Sequence, residues 1–246
     1  TRQMGKTPVI VNDGPGFLVN LVLAPYLNES AWMFDAGHDP CSIDAAFRRF
    51  GMPMGPFELL DEIGADVADK VGAVLAAGLG ERMQPAPLTA KLYAAGRLGK
   101  KTGRGMYVYA GKKGRDRKPD AAFWVTLRNA AAAGGTMHDD GLVLDRVFCL
   151  MVNEAARCLE EGIVATASDL DLALIFGIGF PAFRGGLLQY WDTRGLPTLV
   201  GRLRELESRF GARFAPAERL LRMAASGERF FSDPRIAARG PRMERP

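Results

Sequence analysis

The sequence is poor in cysteine and histidine. Its 246 residues include three cysteines and two histidines, and no two cysteines have the Cys-x-x-Cys spacing of a zinc site or a redox pair. An odd, sparse cysteine count is typical of buried thiols in a reducing compartment rather than of a disulfide framework. Sites built from several histidines are excluded, and we expect no metal site.

Long apolar runs and a strong charge of one sign are also missing. No apolar run reaches the ~18–20 residues of a membrane-spanning helix, and the first residues lack the pattern of a signal peptide. The net charge of +4 is too small to indicate a polyanionic partner without local clustering. The first residue is Thr rather than Met, and we expect the chain to be a fragment of a longer polypeptide.

What the sequence does contain is mostly helical periodicity. Apolar spacings of three and four predict a helix over residues 17–36, kinked at Pro25 and followed by Gly37. Ser42 is the expected N-cap of the next helix. The polar residues 110–119 are the predicted linker. Further helices are predicted over 42–50, 56–63, 66–77, 87–95, 120–133, 139–161, 168–176, 196–210 and 215–226, and the last fifteen residues are expected to be disordered.

The order of motifs is repeated in the two halves of the chain. In the first half "LNESAWMFDAG" is followed by "FGMPMGP" and "LLDEIG", and in the second half "VNEAARCLEEG" is followed by "FGIGFPAFRGG" and "LLQYWDTRG". Gly51 follows Gly37 at nearly the same distance as Gly177 follows Gly162. The repeat predicts two related helical bundles in tandem.

The opening segment "PVIVNDGPGFLVN" has some features of a dinucleotide-binding turn. A β-branched run precedes Gly14-Pro15-Gly16, a helix follows, and Asp35 lies at about the distance expected for a ribose contact. The third glycine of the fingerprint is Val19 instead, however, and no further buried strands follow. We therefore predict that residues 8–12 are the last strand of a nucleotide-binding domain that lies mostly upstream.

Long, ordered segments resemble a known family. The segments "PVIVNDGPGFLVN", "LAPYLNESAWMFDAG", "FGMPMGPFELLDEIGAD" and "GRLGKKTGRGMYVY" resemble the C-terminal helical region of 3-hydroxyacyl-CoA dehydrogenases. The second copy, with "ERLLRMAASGERFF" near its end, is similar to the multifunctional enzymes of the fatty-acid oxidation complex alpha-subunit type, which fuse an enoyl-CoA hydratase to the dehydrogenase. The resemblance extends over residues 5–231.

The resemblance implies a role in the oxidation of 3-hydroxyacyl-CoA during fatty-acid β-oxidation, with hydride transfer to NAD. It also implies that NAD and the catalytic His–Glu pair belong to an upstream Rossmann domain, because neither His38 nor His138 lies in a matching motif. We therefore expect this chain alone to bind no cofactor and to be inactive. The implied partners are an acyl-CoA substrate, the upstream Rossmann and hydratase domains, and a thiolase subunit or a second copy in a homo-oligomer.

Asn20, in the motif Pro-Gly-Phe-x-x-Asn, is the expected catalytic and substrate-binding residue. The resemblance implies that its amide orients the substrate oxygen, and a neutral donor there stabilises developing charge. The alternative is an asparagine that satisfies backbone groups near a helix start. The family usually has Arg after this Asn, whereas Leu21 stands here, so the partner of that Arg must be satisfied differently.

Three further residues are candidate substrate contacts. Pro53 and Met54 lie in the loop "GMPMGP", which is interpreted either as the lining of an acyl pocket or as packing between helices. Phe176 stands where multifunctional relatives often have a substrate-contacting Tyr, and a core aromatic is the alternative.

Basic residues cluster between Arg97 and Lys118. The cluster is not a phosphate-binding P-loop, because Gly99-Lys100 is followed by Lys rather than Ser or Thr. A solvated linker face is the favoured interpretation, followed by attraction for the phosphates of CoA. Nucleic-acid binding is the least favoured, because the aromatic residues Tyr107 and Tyr109 are predicted to share one face of a short strand and few others are interleaved.

Together the patterns predict an all-α chain: two tandem helical domains of the 6-phosphogluconate dehydrogenase C-terminal type behind a β remnant of a Rossmann domain. The predicted boundaries are 1–13 for the remnant, 14–119 for the first domain and 120–246 for the second with a flexible tail. The alternative to a dehydrogenase part is a non-catalytic helical assembly module. We expect a cytoplasmic location, since the C-terminus carries no peroxisomal Ser-Lys-Leu signal.

Overall fold

The structure is a computed structural model that describes residues 8–110, 116–128 and 139–231. In these ranges an antiparallel pair of short strands, β1 (Tyr107–Ala110) and β2 (Asp116–Pro119), accompanies eleven helices. The all-α prediction is confirmed, and α3 and α10 have the predicted bounds. The helices are α1 (Phe17–Asp35), α2 (Pro40–Phe50), α3 (Pro56–Ile63), α4 (Ala65–Leu79), α5 (Leu88–Ala94), α6 (Ala121–Leu127), α7 (Asp140–Glu160), α8 (Ala167–Ile178), α9 (Leu187–Arg194), α10 (Leu196–Phe210) and α11 (Glu218–Ser226).

The start of α2 differs from the prediction. Asp39, not Ser42, is the N-cap: its carboxylate accepts the backbone N–H of Ser42 at 2.9 Å and the Ser42 hydroxyl at 2.8 Å. Pro40 occupies the first turn, where its missing N–H costs nothing. The prediction of Ser42 as the cap was wrong because Asp39 accepts the N–H of Ser42 itself, so that Ser42 already lies inside the first turn of the helix.

The predicted opening strand and linker both differ in the structure. Val11 forms one isolated bridge with Val164, so residues 8–12 make no regular strand. Residues 116–119 of the predicted linker form β2, and the guanidinium of Arg117 pairs with Glu58 of α3. Ion pairing therefore fixes part of the segment that polarity alone marked as a linker. The rest of that segment, the end of the helix predicted over 120–133 and the last fifteen residues lie outside the described ranges.

The core runs through both halves of the chain. Helix α1 packs along α7, while α2 contacts α7 and α8 contacts α1. The ring centroids of Phe50 and Phe148 are 4.6 Å apart, and Phe148 also contacts Phe47 and Phe180. Each half therefore buries its apolar face against the other.

The two halves repeat the same backbone clamp. The amide of Asn28 in α1 donates to Gln84 O at 2.9 Å and accepts the N–H of Ala86 at 2.6 Å. Asn153 in α7 donates to Ala215 O at 2.9 Å and accepts the N–H of Ala217 at 2.7 Å. Asn28 therefore corresponds to Asn153, and residues 84–86 correspond to 215–217.

The same register relates α4 to α10. Both helices have 15 residues, and each follows a glycine with positive φ, Gly64 or Gly195. The sequence-based pairing of Gly51 with Gly177 was wrong by two residues, because α8 continues through Gly177 and ends at Gly179.

Candidate functional site

An apolar cavity of about 240 Å³ lies in the first half of the chain, between α1, α4 and the segment that leads into α5. For comparison, an apolar cavity of ~150 Å³ stays dry and binds benzene. The volume is therefore large enough for a small apolar group. Its apolar lining is Leu23, Ala24, Leu27, Ala31, Leu60, Ile63, Val67, Ala68, Val71, Leu75, Met83, Pro85 and Ala86, with Gly72 on the α4 side.

Asn20 provides the polar side chain of this cavity that is available to a ligand. The lining includes the polar side chains of Asn20, Asn28 and Thr89. Asn28 is engaged in its backbone clamp, and the Thr89 hydroxyl lies 3.4 Å from Asp69. Among the described residues no hydrogen bond to the Asn20 side chain is present, and the residue is exposed. Its amide is therefore free to donate to, and accept from, a molecule that enters the cavity.

The remaining predicted contacts do not line this cavity. The ring of Pro53 packs at Gly179, where an added Cβ would lie 2.7 Å from Pro53 Cγ. Met54 has a half-buried side chain, and its carbonyl accepts the Tyr26 hydroxyl at 2.7 Å. Phe176 is 70% exposed on α8. None of these three residues therefore lines the cavity beside Asn20.

The Arg expected after Asn20 has a counterpart in the second half. By the Asn28–Asn153 correspondence, buried Leu21 of α1 matches Arg146 of α7. Arg146 Nε donates to buried Glu29 at 2.9 Å. In the first half the matching acceptor is Glu154, whose carboxylate lies 3.3 Å from Arg82. Arg82 therefore partly satisfies the Glu154 carboxylate, which is the group that an Arg at position 21 would contact.

A buried acidic cluster holds the β1–β2 hairpin, and sequence analysis did not find it. Asp44 accepts the Tyr107 hydroxyl at 2.6 Å and the Phe57 N–H at 2.9 Å, and burial raises its pKa to about 7. Asp61 accepts the Tyr107 N–H and the Tyr109 hydroxyl, each at 2.9 Å, and burial raises its pKa to about 6. The prediction that both tyrosines share one face is confirmed. Because backbone groups and tyrosines occupy these carboxylates, their role is structural.

Four of the described basic residues between Arg97 and Lys118, including Arg117, have acidic partners within the chain. Arg97 pairs with Asp120 at 2.7 Å, and Lys100 and Lys101 pair with Glu62 and Asp66. Local pairing lowers the positive potential that a polyanion would require.

The opening turn does not fit a dinucleotide. A Cβ added at Gly14 would lie 2.8 Å from Ile163 Cδ1, and one at Gly16 would lie 2.9 Å from Leu75 Cδ2. These glycines therefore accommodate side chains of this chain, whereas a dinucleotide turn leaves room for a pyrophosphate.

The described ranges contain no group of three or more His, Cys, Asp or Glu side chains placed to hold a metal ion. No helix in them is long and apolar enough to span a membrane.

Comparison with known proteins identifies the family that has this architecture. A family profile described as 3-hydroxyacyl-CoA dehydrogenase, C-terminal domain, matches residues 16–109 and 141–230. The chain belongs to this family. The resemblance identified from the motifs is thereby confirmed, and the cavity and Asn20 lie in the first of the two matched stretches of this dehydrogenase C-terminal region.

The curated relatives of this dehydrogenase C-terminal region are much longer proteins. The chain is 43% identical over 230 residues to the fatty acid oxidation complex subunit alpha of Shewanella loihica, and 44% identical over 231 residues to that of Shewanella halifaxensis. Each match covers 94% of this chain but 32% of the relative. The chain therefore spans about a third of the length of these relatives.

Solved structures share the fold. 3-hydroxybutyryl-CoA dehydrogenase from Escherichia coli superposes with a TM-score of 0.72 at 25% identity, over 91% of this chain and 63% of that one. The dehydrogenase part of multifunctional enzyme 1 from C. elegans gives a TM-score of 0.66 at 26% identity, over 90% of this chain and 50% of that one.

Proposed function

We propose that the chain is the C-terminal part of an NAD-dependent 3-hydroxyacyl-CoA dehydrogenase of fatty-acid β-oxidation, in which it supplies Asn20 to the substrate. The observation that carries this proposal is the exposed Asn20 amide, which has no hydrogen bond to the part of the chain that the structure describes and lies at an apolar cavity. An apolar pocket with one or a few convergent polar groups is the usual form of a small-molecule site.

Asn20 acts as a neutral donor in this proposal. Oxidation of the 3-hydroxyl group produces a carbonyl oxygen, and an amide N–H directed at that oxygen stabilises the charge that develops on it. The donor carries no charge of its own and needs no counterion, which suits a position beside an apolar cavity.

The remaining parts of the reaction are proposed to lie outside this chain. The opening turn does not fit a dinucleotide, so NAD would be held by a Rossmann domain, which would also provide the His–Glu pair. The length of the relatives supports the presence of further domains, including an enoyl-CoA hydratase. A thiolase subunit or a second copy is the proposed partner, in the cytoplasm, and the isolated chain is proposed to be inactive.

Calorimetric titration of the chain with NAD and, separately, with acetoacetyl-CoA tests this division of the site. The expected result is no heat with NAD, together with weak or undetectable binding of the thioester. Tight binding of NAD would contradict the proposal, because the Gly14–Gly16 turn would then have to accept a pyrophosphate. An NADH-linked assay of the isolated chain checks that it is inactive.

Substitution of Asn20 tests its role in the polypeptide that joins this chain to a Rossmann domain. Asn20→Ala is expected to lower kcat for 3-hydroxybutyryl-CoA oxidation by about 10²-fold, because one donor to the developing charge is lost. Gly201→Ala is the control, since an added Cβ there meets nothing within 4 Å. An unchanged kcat in the Asn20 variant would contradict the catalytic role.

The second candidate function is a non-catalytic assembly module. Exposed aromatic side chains favour it: Phe17, Phe176 and Phe183 are 63%, 70% and 78% exposed. Large exposed apolar side chains mark interaction surfaces when they form a patch. Substitution of Phe176 and Phe183 by Ser, followed by sedimentation of the polypeptide with its partner subunit, distinguishes loss of assembly from loss of activity.

A further inference from the structure

We infer that the cavity of the first half binds the saturated alkyl tail of the acyl group, so that the site selects thioesters with tails longer than four carbons. The identity of the ligand as an acyl thioester rests on the proposed function. The evidence for a ligand in the cavity comes from a comparison of α4 with α10 and does not depend on it.

The second half fills the volume that the first half leaves empty. In the register set by Gly64 and Gly195, Ala68 and Gly72 of α4 correspond to Leu199 and Leu203 of α10. Both leucines are completely buried, whereas Ala68 and Gly72 line the cavity. At the next position of the lining, Met83 corresponds to the buried Phe214. The cavity therefore results from small residues at particular positions and is not a property of the fold.

Gly72 is unfavourable for the helix and has no packing reason to be glycine. It lies in the interior of α4, and an added Cβ would meet only Pro85 Cβ, at an ordinary contact distance of 3.6 Å. Its φ is not in the left-handed region. A glycine at such a position costs roughly 0.5–1 kcal/mol relative to alanine. The free volume beside it is what the glycine provides.

The two halves also differ at the polar end of the cavity, where the second half is closed and the first half is open. Asn20 corresponds to Asp145 of α7, and Val71 corresponds to Arg202 of α10. Arg202 Nε donates to the Asp145 carboxylate at 2.9 Å and so closes the equivalent position in the second half. In the first half no charge pair is present there, and the Asn20 amide stays available.

The shape and chemistry of the lining indicate the class of ligand. The inner wall consists of aliphatic side chains, with Leu75 and Met83 almost completely buried. One free amide lies at the rim. A molecule with a long apolar body and a single polar carbonyl at one end satisfies both, and an acyl thioester is such a molecule. An apolar side chain from another domain would bury against the aliphatic wall but would leave the Asn20 amide without a partner.

Binding of decanoyl-CoA and acetoacetyl-CoA to the 246-residue chain tests the inference. Calorimetry is expected to show tighter binding of decanoyl-CoA to the unaltered chain. Gly72→Leu, which copies Leu203, is expected to weaken decanoyl-CoA binding by about tenfold or more, since it excludes two or more methylene groups worth ~0.8 kcal/mol each. Acetoacetyl-CoA, which is expected to bind the unaltered chain weakly or undetectably, is expected to bind Gly72→Leu no differently, with any measurable affinity changed by less than about twofold.

Gly201→Leu is the matched control, because it makes the same change at an interior glycine of α10 with open space around it. It is expected to leave the affinity for decanoyl-CoA unchanged. Ala68→Leu, which copies Leu199, is the second cavity-filling variant and is measured beside Gly72→Leu, so that a folding defect in one does not decide the result. Far-UV circular dichroism confirms that each variant is folded.

Two results would overturn the inference: equal affinity of the unaltered chain for the two thioesters, or unchanged decanoyl-CoA binding in both cavity-filling variants. In the polypeptide that includes a Rossmann domain, Gly72→Leu is expected to lower kcat/KM for 3-hydroxydecanoyl-CoA at least tenfold more than for 3-hydroxybutyryl-CoA. An unchanged chain-length profile there would show that another protein segment occupies the cavity. Absence of any 3-hydroxybutyryl-CoA oxidation would instead count against the proposed function.

Discussion

Helices α4 and α10 occupy equivalent places in the two halves, yet they are used in different ways. In α10 five residues are buried, four of them leucines (Leu196, Leu199, Leu203 and Leu206). In α4, of the same length, only Ala65 and Leu75 are buried. The same backbone is thus stabilised by a packed core in the second half and surrounds a cavity in the first. The comparison separates a half with a filled core from a half that contains a cavity.

The contacts between the halves are reciprocal. Buried Glu29 of α1 accepts Arg213 Nε at 2.9 Å, and Glu154 of α7 lies 3.3 Å from Arg82. Arg82 and Arg213 are equivalent residues in the register of α4 and α10. Reciprocal pairing of this kind is expected when two like units meet across an approximate two-fold axis. At positions that depart from this symmetry, equivalent residues of the two halves are expected to differ in their contributions to stability.

The largest expected effect concerns the two buried glutamates. Glu29 pairs with both Arg146 and Arg213, and Arg146 is almost completely buried. Glu29→Gln is expected to lower the free energy of unfolding by about 3 kcal/mol, because it leaves a buried guanidinium without an anion. Glu154→Gln is expected to cost about 1 kcal/mol or less, because Arg82 keeps its 2.8 Å pair with Glu161.

Urea unfolding of both variants measures this contrast, with unchanged m values as the check that the unfolded states are alike. Equal losses in the two variants would show that the two ion-pair networks are equivalent despite the additional arginine at Glu29.

A single substitution is expected to restore the symmetry between the ion pairs of the two halves. Leu21→Arg places in the first half the residue that Arg146 provides in the second, within reach of Glu154. Burial raises the pKa of Glu154, and one of its buried carboxylate oxygens lacks a hydrogen bond. The new charge-assisted bond, worth ~1.5–3 kcal/mol, is expected to offset the lost burial of leucine, so that the free energy of unfolding changes by about 1 kcal/mol or less.

Leu18→Arg is the matched control, since Leu18 is equally buried in α1 and corresponds to Val143, which is not an arginine. It is expected to cost about 3 kcal/mol or more, because no acceptor is placed for the new charge. Thermal unfolding of the two variants at one pH measures the difference. If both substitutions destabilise the chain equally, Glu154 is not the partner of an arginine at position 21.

Local sequence patterns predicted the helices. The features that the sequence did not show depend on contacts between residues that lie far apart in the chain. The bounds of α3 and α10 follow from periodicity and flanking glycines, which are properties of neighbouring residues. The N–H that Asp39 caps and the pairing of Arg117 with Glu58 depend on which groups meet in space. For that reason the predicted cap at Ser42 was wrong, and residues 116–119 of the predicted linker form a strand.

For the same reason, only part of the candidate site was predicted. Asn20 was identified by its motif, but the cavity beside it depends on Ala68 and Gly72 facing α1 across a space that no local pattern reports. The signal was present in the repeat: alignment of "LLDEIG" and "LLQYWDTRG" at their glycines sets Gly72 against Leu203. Comparing the repeats residue by residue would have revealed a small residue at a position where the other half has a large one.

The smallest expected effect is a difference in pH dependence between the equivalent aspartates Asp44 and Asp171. Burial raises the pKa of Asp44 to about 7 and that of Asp171 to about 6. In the unfolded chain both titrate near ~3.9, so each folded carboxyl holds its proton to higher pH. The stability that each contributes is present below about pH 4 and is lost as the pH rises through its folded pKa.

The free energy of unfolding is therefore expected to fall between about pH 4 and pH 7, and the last part of the fall, above pH 6, belongs to Asp44. Asp44→Asn removes that titration, and the slope above pH 6 is expected to flatten by as much as ~1.4 kcal/mol per pH unit. Asp171→Asn is expected to flatten only the part below pH 6. Urea unfolding at intervals of half a pH unit measures both slopes. Burial is the largest cause of the raised pKa at both carboxyls, and at Asp44 it outweighs the hydrogen bond from Tyr107, which lowers the pKa. Identical profiles for the two variants would therefore mean that burial affects the titration of the two aspartates equally.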